Sequence, residues 1–591
     1  MYRKKLSVTV PMTILAISQV IAAAATASQQ AAPRITKPLK IYILVGQSNM
    51  QGKAQVSTVP RMALSEESKE LHDKILDEEG TPRVHKDVSI VYFTGGDEKR
   101  GVHRPLQVKQ GLLSTGFGNA IGPELGFGIT MGEANDEPIL IIKTAWGGKS
   151  LNKNFRPPSA GIFTQERSKG RRRRELSEEE LQKKKDEEAA SQGAYYRLMM
   201  KLIKTVLADT GKYCEAYDPK HGYEIAGFGW FQGFNDQFYY PGSYDYYSGV
   251  LAHFIRDVRE GLEAPNMPFV IGVIGIGGNN VTNPKMLELR KCMAAPASMP
   301  EFKGNVAAVE TAGFWDNEMV AALERVSKAE ALFTNSEDWM VLGTPEPKDR
   351  IWHYTSFTLD EEKQYRDLAE GEEGDERTLT GETPAGLKDW LNPGFDISKW
   401  QNGPAPVGKG VWNQKPKNGK EREKQEKQKA MIRSPWGEGN MLLMKTSFTL
   451  ERTDISNLRL CIQSTGSFHV YLNGHLVTDY PWWKHENIRK LGIDATCVKQ
   501  GVNKLAFYGN IMEQRGRTFN VVDLYLEGLP QAAADEITKR QNALATPRDR
   551  ALSKGRSNQE YHYLGSAYTY SRIGEAMAKA MTELEKAGKQ R

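Results

Sequence analysis

Six apolar segments in the first half of the chain, separated by helical stretches, constrain the fold more than any other feature of the sequence. Each is an almost continuous apolar run, without the polar residue at every second position that a half-exposed strand shows. Continuous runs are typical of strands buried on both faces of a parallel sheet, and alternation with helices is typical of α/β architecture. The sequence therefore predicts an α/β fold with a doubly wound parallel sheet, whose strands lie at 41–46, 88–93, 138–148, 225–233, 268–275 and 305–311.

A second pattern begins after residue 390, where short strands alternate apolar and polar residues and are rich in aromatic and β-branched side chains. Asn473–Gly474 predicts a type I′ hairpin turn between two of them, because both residues tolerate positive φ. Several short strands at this spacing indicate a β-sandwich, and the pattern resembles the jelly-roll, galactose-binding-like domains of many glycoside-processing enzymes. The predicted strands lie at 395–400, 441–450, 458–463, 468–477 and 503–510.

Helical character returns at 572–588, so the β-sandwich is interpreted as an all-β jelly-roll domain inserted into the α/β domain. The predicted organisation is a signal peptide at 1–27, the first part of the α/β domain at 38–335, a linker or insert at 336–389, the β-sandwich at 390–532 and the second part of the α/β domain at 550–591.

Two charged segments, 166–191 and 415–429, interrupt this order. The first contains an arginine block, 171–174, that runs directly into a mixture of acidic and basic residues. Such segments are typical of solvated helices or disordered insertions rather than nucleic-acid arms. The net charge of +6, from 79 basic and 73 acidic residues, is small for 591 residues, and we expect no nucleic-acid partner.

The first 27 residues have the composition of a signal peptide. Arg3, Lys4 and Lys5 precede an apolar stretch that ends near Ala25, and small residues favour cleavage after Ala27. A membrane anchor is the alternative, but a proline and polar residues interrupt the stretch. No later segment reaches the roughly 18 apolar residues of a membrane span. We therefore expect a secreted or periplasmic protein without a stable membrane span.

Four cysteines in a chain of this length do not form a disulfide scaffold. Cys461 and Cys497 lie in the same predicted β domain, and whether they pair stays open. The sequence has no CxxC or HExxH motif and no His/Cys cluster at metal-ligand spacing. We therefore expect neither a metal nor another cofactor.

The sequence GQSNM at 46–50 raises the main chemical question. The apolar run 41–45 stops at Gly46, which places Ser48 at the rim of the predicted sheet, where loops of such folds form their sites. A serine becomes a nucleophile when a base takes its proton and nearby donors stabilise the oxyanion. The alternative is that Ser48 and Asn49 simply cap the following helix.

Three further blocks follow. TAWGG ends with Gly147 and Gly148, where backbone can approach a ligand closely, and GFND contains Asn235, whose side-chain amide can donate. His562 lies in EYHYLGS, just before the final helix. Alone, each block is a weak signal, because paired glycines usually form turns, Asn-Asp usually caps a loop, and a single histidine is usually structural.

Together and in this order, the four blocks resemble the SGNH hydrolase superfamily. More closely, they are similar to its branch of sialic-acid-specific and xylan acetylesterases, whose hallmark is GQSN(M). The segments IGPELGFG (121–128) and KTAWGGKSL (143–151) are similar to that branch as well. The resemblance covers about 38–320 and 550–590.

The resemblance implies a role for each block. Ser48 is the expected nucleophile on an acetyl ester, and His562 is the expected general base. The N–H groups of Ser48 and Gly147, or alternatively Gly148, form the expected oxyanion hole with the amide of Asn235. From the same blocks, Gln47 and Gln232 are expected to bind substrate.

One departure from the family pattern concerns the triad acid. The superfamily usually has an aspartate three residues before the histidine, and Gln559 stands there in this chain. Glutamine can orient an imidazole but cannot offset its positive charge, and losing a triad carboxylate costs on the order of 10⁴ in turnover. We therefore expect Glu310 or Glu560 to substitute, with Asp236 as a third candidate, or the enzyme to work as a weaker dyad.

The expected function is that of a secreted serine esterase acting on an acetylated carbohydrate, its expected partner. The alternative is a carbohydrate-binding protein on a weakened hydrolase scaffold, which the missing aspartate favours. Trp482 and Trp483 in YPWWKHE (480–486) would stack on a sugar ring or pack within their loop. A hydrolase of lipid or thioester substrates ranks third, since the sequence shows no long apolar acyl-chain motif.

Overall fold

The computed structural model of the chain divides into two compact units. Unit 1 comprises the described residues up to Glu324 and those from Pro547 onward, and unit 2 comprises Arg325–Thr546. The predicted leader, Trp482, Trp483 and Gln559 lie outside the described residues. The structure describes residues 35–93, 105–107, 120–163, 177–238, 245–365, 379–412, 419–480, 488–511, 513–514, 517–557 and 560–590.

Unit 1 is built on a seven-stranded sheet and a small two-stranded ladder. The strands are β1 (Leu39–Gly46), β2 (Ala54–Gln55), β3 (Val88–Phe93), β4 (Pro105–Gln107), β5 (Ala120–Ile121), β6 (Ile139–Ala145), β7 (Tyr223–Phe231), β8 (Phe269–Val273) and β9 (Val306–Glu310). The large sheet has the order β4-β3-β6-β1-β7-β8-β9. Its neighbours run parallel, apart from the antiparallel edge strand β4. Its six parallel strands coincide with the six predicted segments, which confirms the α/β fold class.

The apolar runs form strands because both faces of the sheet are covered. Every residue of β3 and β6 is buried, and in β1 only Lys40 is partly exposed. The helices that accompany these strands are α1 (Ser48–Gln51), α2 (Glu66–Ile75), α3 (Glu124–Glu133), α4 (Glu178–Ser191), α5 (Ala194–Ala208), α6 (Thr210–Tyr213), α7 (Asp245–Gly261) and α8 (Pro284–Ala294), and α9 (Asn317–Thr334) leads into unit 2.

Unit 2 is a β-sandwich, which confirms the inserted all-β part of the predicted fold class. Its strands are β10 (Met340–Leu342), β11 (Ile351–Phe357), β12 (Gln401–Pro404), β13 (Val407–Trp412), β14 (Ser434–Pro435), β15 (Met441–Leu450), β16 (Ile455–Gln463), β17 (Phe468–Leu472), β18 (His475–Tyr480), β19 (Arg489–Ile493), β20 (Gly501–Asn510), β21 (Glu513–Gln514) and β22 (Arg517–Pro530). Its helices are α10 (Glu361–Gln364), α11 (Gly419–Met431) and α12 (Gln531–Leu544).

The two sheets of unit 2 enclose one apolar core. One sheet has the order β14-β13-β22-β16-β19, with β10 and β21 also paired to β22, and the other has the order β12-β11-β15-β20-β17-β18. Trp352 and Leu442 from the second sheet pack in the same buried cluster as Leu460 and Leu524 from the first. Burial alternates along β11, but it is continuous over the first four residues of β15 and the last six of β16, because residues such as Met441 and Leu443 pack in a second buried cluster.

Three local predictions in unit 2 have different outcomes. The Asn473–Gly474 turn is confirmed, with φ values of +53° and +88°. The strand predicted at 395–400 is wrong: this segment forms turns, in which Asp396 accepts from the N–H of Ser398. The segment 336–389, expected to be a linker or insert, contributes β10 and β11 to the two sheets.

The charged segments include two helices on the surface. In 166–191, helix α4 begins at Glu178, and 164–176 lie outside the described residues. Helix α11 covers most of 415–429 and is exposed apart from Gln428 and a few partly buried positions. Within the described ranges, no helix combines the length and apolar character needed to cross a bilayer.

All four cysteines lie within the described residues and are free thiols. Cys461 is buried on β16 with a pKa raised by burial, next by the nearby charge of Glu527 and also by a hydrogen bond to that carboxylate, whereas Cys497 packs at the edge of the apolar core. The two thiols therefore do not form the disulfide that the sequence left open. In the described part of the chain, no group of three His, Cys, Asp or Glu side chains is arranged to hold a metal ion.

The chain returns to unit 1 in α13 (Pro547–Ser553) and α14 (Ala567–Lys589). Helix α14 packs closely against α3, and glycines make this approach feasible. A β-carbon at Gly126 of α3 would collide with the carbonyl of Ser571, and one at Gly574 of α14 would collide with the carbonyl of Pro123. This packing fixes the position of the segment that precedes α14, which carries His562.

Candidate active site

The candidate blocks follow three neighbouring strands at the centre of the large sheet. From β1 the chain passes to β3 on one side, and from β7 it passes to β8 on the other. Such a change of direction opens a crevice at the carboxyl ends of the strands, where ligands bind in open α/β sheets. GQSNM follows β1, TAWGG closes β6 and GFND follows β7, so the three blocks meet at this crevice.

Ser48 lies where β1 turns sharply into the short helix α1. The turn requires Gly46, since a β-carbon there would lie 2.1 Å from the carbonyl oxygen of Phe231 and 2.7 Å from the Cβ of Met50. Ser48 is the first residue of α1 and is 8% exposed. N–H groups in the first turn of a helix have no partner within that helix, so the N–H of Ser48 can donate to a ligand.

Gly147, Gly148 and Asn235 lie beside Ser48. A β-carbon placed on Gly147 would be 3.7 Å from the Cβ of Ser48, and one placed on Gly148 would be 4.0 Å from the Nδ2 of Asn235. Gly148 has a φ of +72°, which a glycine adopts without strain. The structure therefore brings together the serine, the glycine pair and the asparagine that the sequence singled out.

Gln47 and Gln232 form buried hydrogen bonds that hold Asn235 in place. Gln47 Nε2 donates to the Oδ1 of Asn235 at 3.0 Å, and Gln47 Oε1 accepts from Gln232 Nε2 at 3.1 Å and from the N–H of Asn235 at 3.2 Å. Both glutamines are 1% exposed. Their amides are engaged by the protein, and their expected role in binding substrate stays a prediction. By holding Oδ1, Gln47 leaves the Nδ2 of Asn235 as the donor on the side of Gly148.

Asp236 holds the glycine loop in place. Its carboxylate accepts from the N–H groups of Leu151 and Asn152, both at 3.0 Å, and from Gln232 Nε2 at 2.6 Å. Burial raises the pKa of Asp236 to about 6, against the opposing effect of these three donors. Its oxygens fix the loop that follows Gly148, and the weighing of Asp236 as a third triad candidate stays a prediction.

A buried ion pair lies under α1. Lys143 Nζ lies 2.7 Å from the Oε2 of Glu124 and donates to the carbonyl of Gln51 at 3.0 Å, and it also lies over the ring of Tyr92. Glu124 Oε1 accepts from the N–H of Gly122 at 2.9 Å. Both charged side chains are fully buried, and burial lowers the pKa of Lys143 while Glu124 opposes that shift. The pair thus connects β6 and α3 to the last residue of the helix that carries Ser48.

The His562 loop contacts the residues on either side of this crevice. Asn49 Nδ2, next to Ser48, donates to the carbonyl of Tyr561 at 3.2 Å. The ring of Tyr561 stacks on Phe234, next to Asn235, at 5.7 Å between centroids and lies 4.4 Å from the ring of His562. The residue that precedes His562 therefore touches both the serine block and the asparagine block, as the resemblance implies.

The imidazole of His562 is partly buried near Lys53. Burial, and to a smaller extent the Lys53 ammonium, lowers the pKa of His562 to about 4. His562 is therefore neutral at pH 7, which is the protonation state that a general base requires.

Glu310 and Glu560 are the remaining candidates for the triad acid. Glu560 is exposed, and Glu310 ends β9, where partial burial raises its pKa and Arg290 opposes that shift. The side-chain carboxylates of Glu310 and Glu560 make no hydrogen bond to another described residue. The triad role of either one stays a prediction, and Gln559 lies outside the described residues.

Several residues that shape the site were missed by sequence reasoning. Asn49 was considered only as a helix cap, and Lys53, Lys143 and Glu124 were given no role. Tyr570, which donates to Asn49, stands in the aromatic run YHYLGSAYTY that was visible after His562. The signal that could have found Asn49 and Tyr570 is the crowding of polar and aromatic residues around the two expected catalytic positions.

Residues 38–324 match the family model described as carbohydrate esterase, sialic acid-specific acetylesterase. Among solved structures, a protein of Arabidopsis thaliana is 18% identical, with 46% of this chain and 86% of that chain covered and a TM-score of 0.26. A carbohydrate acetylesterase from Xanthomonas citri is 11% identical, with 78% of this chain and 74% of that chain covered and a TM-score of 0.27. Comparison with curated proteins gave no match. Residues 38–324 are thus similar in sequence to the sialic acid-specific acetylesterase family of carbohydrate esterases.

Proposed function

We propose that this protein is a secreted serine esterase that removes O-acetyl groups from a sugar or polysaccharide. Ser48 Oγ attacks the acetyl carbonyl while His562 takes its proton. The C–O bond to the sugar breaks, and His562 returns the proton to the sugar oxygen as it leaves. Water, deprotonated by the same imidazole, then attacks the acetyl-serine, releases acetate and restores Ser48.

One observation carries the proposal: Ser48, the Gly147–Gly148 loop and Asn235 lie together at the switch point of the sheet. The N–H of Ser48, the loop of Gly147 and Gly148, and the Nδ2 of Asn235 lie side by side. Gln47 orients the amide of Asn235, and Asp236 fixes the glycine loop, so the donors are set before substrate arrives. Preorganised donors are the largest contribution to many acyl-transfer rates.

The proposal is tested by incubating the purified full chain with O-acetylated xylan, O-acetylated sialic acid and their deacetylated forms. We expect free acetate from at least one acetylated carbohydrate and a fluorophosphonate adduct that maps to Ser48. The secreted location is tested separately by N-terminal sequencing of the exported protein, where a mature start after Ala27 is expected.

A carbohydrate-binding protein on a weakened hydrolase scaffold is the second candidate, favoured by Gln559 in place of the usual aspartate. Such a protein would bind acetylated sugars equally well after Ser48→Ala and would take up no fluorophosphonate. Sugar binding by the β-sandwich stays a separate prediction, tested by glycan binding to the whole chain with and without Trp482→Ala and Trp483→Ala.

Removal of one oxyanion donor gives a first kinetic prediction. Asn235→Ala should lower kcat on p-nitrophenyl acetate roughly 10²–10³-fold with little change in KM, because the amide acts on charge that develops in the transition state. Asn135→Ala is the matched control, since Asn135 donates to the carbonyl of Met131 before β6, away from the carboxyl ends of the strands. Similar kcat values for the two variants would contradict the assigned role of Asn235.

The pH profile gives a second kinetic prediction. Burial and Lys53 lower the pKa of His562 to about 4, so kcat/KM for p-nitrophenyl acetate should stay constant from pH 7 down to about 5. Below about pH 4 it should fall about tenfold per unit, because protonated His562 cannot accept the proton of Ser48. Lys53→Met should shift this acidic limb upward, and circular dichroism at each pH checks that the fold is intact. An acidic limb near the ordinary histidine pKa of about 6.5 would contradict the prediction.

A further inference from the structure

Asn49 bridges the serine helix and the histidine loop through both ends of its side chain. Its Nδ2 donates to the carbonyl of Tyr561 at 3.2 Å, and its Oδ1 accepts from the hydroxyl of Tyr570 at 2.7 Å. Asn49 is 2% exposed and Tyr570 is fully buried. A short polar side chain buried in this way is fixed by its partners, because each unmade hydrogen bond would leave a desolvated group.

Tyr570 extends the bridge to the other side of His562. Tyr570 lies in the first turn of α14, and its hydroxyl is also 3.4 Å from the carbonyl of His562. The bond to Asn49 is the shorter one, and the second contact is weaker. Asn49 thus binds the carbonyl of Tyr561, and the hydroxyl that binds Asn49 also makes the weaker contact with the carbonyl of His562.

The backbone after His562 needs such support. Tyr563, Leu564 and Gly565 have φ values of +50°, +56° and +70°, so three consecutive residues adopt the left-handed conformation. For residues other than glycine this conformation costs energy and persists where surrounding contacts impose it. The hydroxyl of Tyr563 accepts from the N–H of Gly275 at 2.9 Å, which anchors the start of the turn.

We propose that Asn49 and Tyr570 are positioning residues that hold the His562 loop at the distance from Ser48 that proton transfer requires. The proposal rests on the proposed esterase function, and it gives Asn49 a role other than capping α1. Asn49 follows Ser48 directly, so a shift of the loop changes the separation of base and nucleophile. A displacement of about 1 Å between reacting groups can cost about 10² in rate.

The test compares Tyr570→Phe, Asn49→Leu and the double variant of the full chain, with p-nitrophenyl acetate as the probe. Tyr42→Phe is the matched control: Tyr42 is equally buried in unit 1, and its hydroxyl binds Glu585 at 2.7 Å, near the start of β1. We expect kcat to fall about tenfold in Tyr570→Phe and up to about 10²-fold in Asn49→Leu, with KM unchanged. The double variant should be no slower than Asn49→Leu, because the two residues act as one unit.

A second readout separates positioning from loss of stability. In Tyr570→Phe the loosened loop should expose His562, so the acidic limb of kcat/KM should move upward from about 4. Tyr42→Phe should weaken the hydrogen-exchange protection of the β1 amides without moving that limb. If Tyr570→Phe and Tyr42→Phe have the same kcat and the same acidic limb of kcat/KM, the positioning role is overturned. If the fold-losses in kcat of the two single variants multiply in the double variant, Asn49 and Tyr570 do not act as one unit. Absence of turnover by the unmodified chain would instead refute the esterase function itself.

Discussion

Ser48→Ala should lower esterase turnover by about 10⁶, to the level of the uncatalysed reaction plus what the oxyanion donors alone supply. The alcohol oxygen is the atom that bonds to the acetyl carbon, so without it no acyl-enzyme forms. Donors and base remain in place but have nothing to activate. Turnover of p-nitrophenyl acetate and the intact mass of the protein after fluorophosphonate treatment measure both consequences.

The chain contains its own control for this variant. Ser159 Oγ lies 2.8 Å from Nδ1 of His253, and Ser159 is exposed at the surface. Ser159→Ala should keep full activity, because that serine belongs to none of the blocks assigned to the crevice. Loss of turnover in Ser159→Ala, or its persistence in Ser48→Ala, would overturn the assignment of the nucleophile.

Lys143→Met should destabilise unit 1 by about 3–5 kcal/mol, because it leaves Glu124 as an uncompensated charge in a dry interior. The lysine also donates to the carbonyl of Gln51 at 3.0 Å, which loses its partner at the end of α1. Hydrogen exchange of the β1 and β6 amides, measured by mass spectrometry on the full chain, reports this loss within unit 1. A chain of two units requires such a local probe, since one melting curve mixes the two.

The double variant Lys143→Met with Glu124→Gln separates charge from packing. It removes both charges, and the new amide oxygen can still accept from the N–H of Gly122, as Glu124 Oε1 does at 2.9 Å. We expect its β1 and β6 amides to be better protected than those of Lys143→Met alone. Equal protection in the two variants would show that the cost lies in lost packing rather than in the unpaired carboxylate.

The features that could be predicted from the sequence are those that depend on residues close together in the chain. The six parallel strands were predictable because burial on both faces imposes a continuous apolar run, as in β3 and β6. Ser48 was placed at the rim correctly, because a turn as tight as the one at Gly46 excludes a β-carbon. These features depend on neighbours in sequence and on the presence of a core.

The contacts that sequence reasoning did not find join partners that are distant in sequence. Gln47 and Gln232 were expected to bind substrate, and the hydrogen bond between their buried amides was not foreseen. Asp236 was weighed as a triad acid, and its partners are the N–H groups of Leu151 and Asn152 across the crevice. The segment 395–400 has the composition of a strand, yet its Asp396–Ser398 turn chemistry prevails. The sequence shows which polar groups need a hydrogen-bond partner, but it does not show which residue of the fold supplies that partner.

Because unit 2 occupies Arg325–Thr546, the candidate site residues of unit 1 are synthesised at widely separated times. Ser48, Gly147 and Asn235 all emerge before unit 2, and His562 emerges after it, followed by the helix that packs on α3. Domains fold as units while translation proceeds from the N-terminus. With the proposed roles, a nascent chain therefore holds the nucleophile and its oxyanion donors but no base, and it should stay inert toward esters until nearly all of it has been translated.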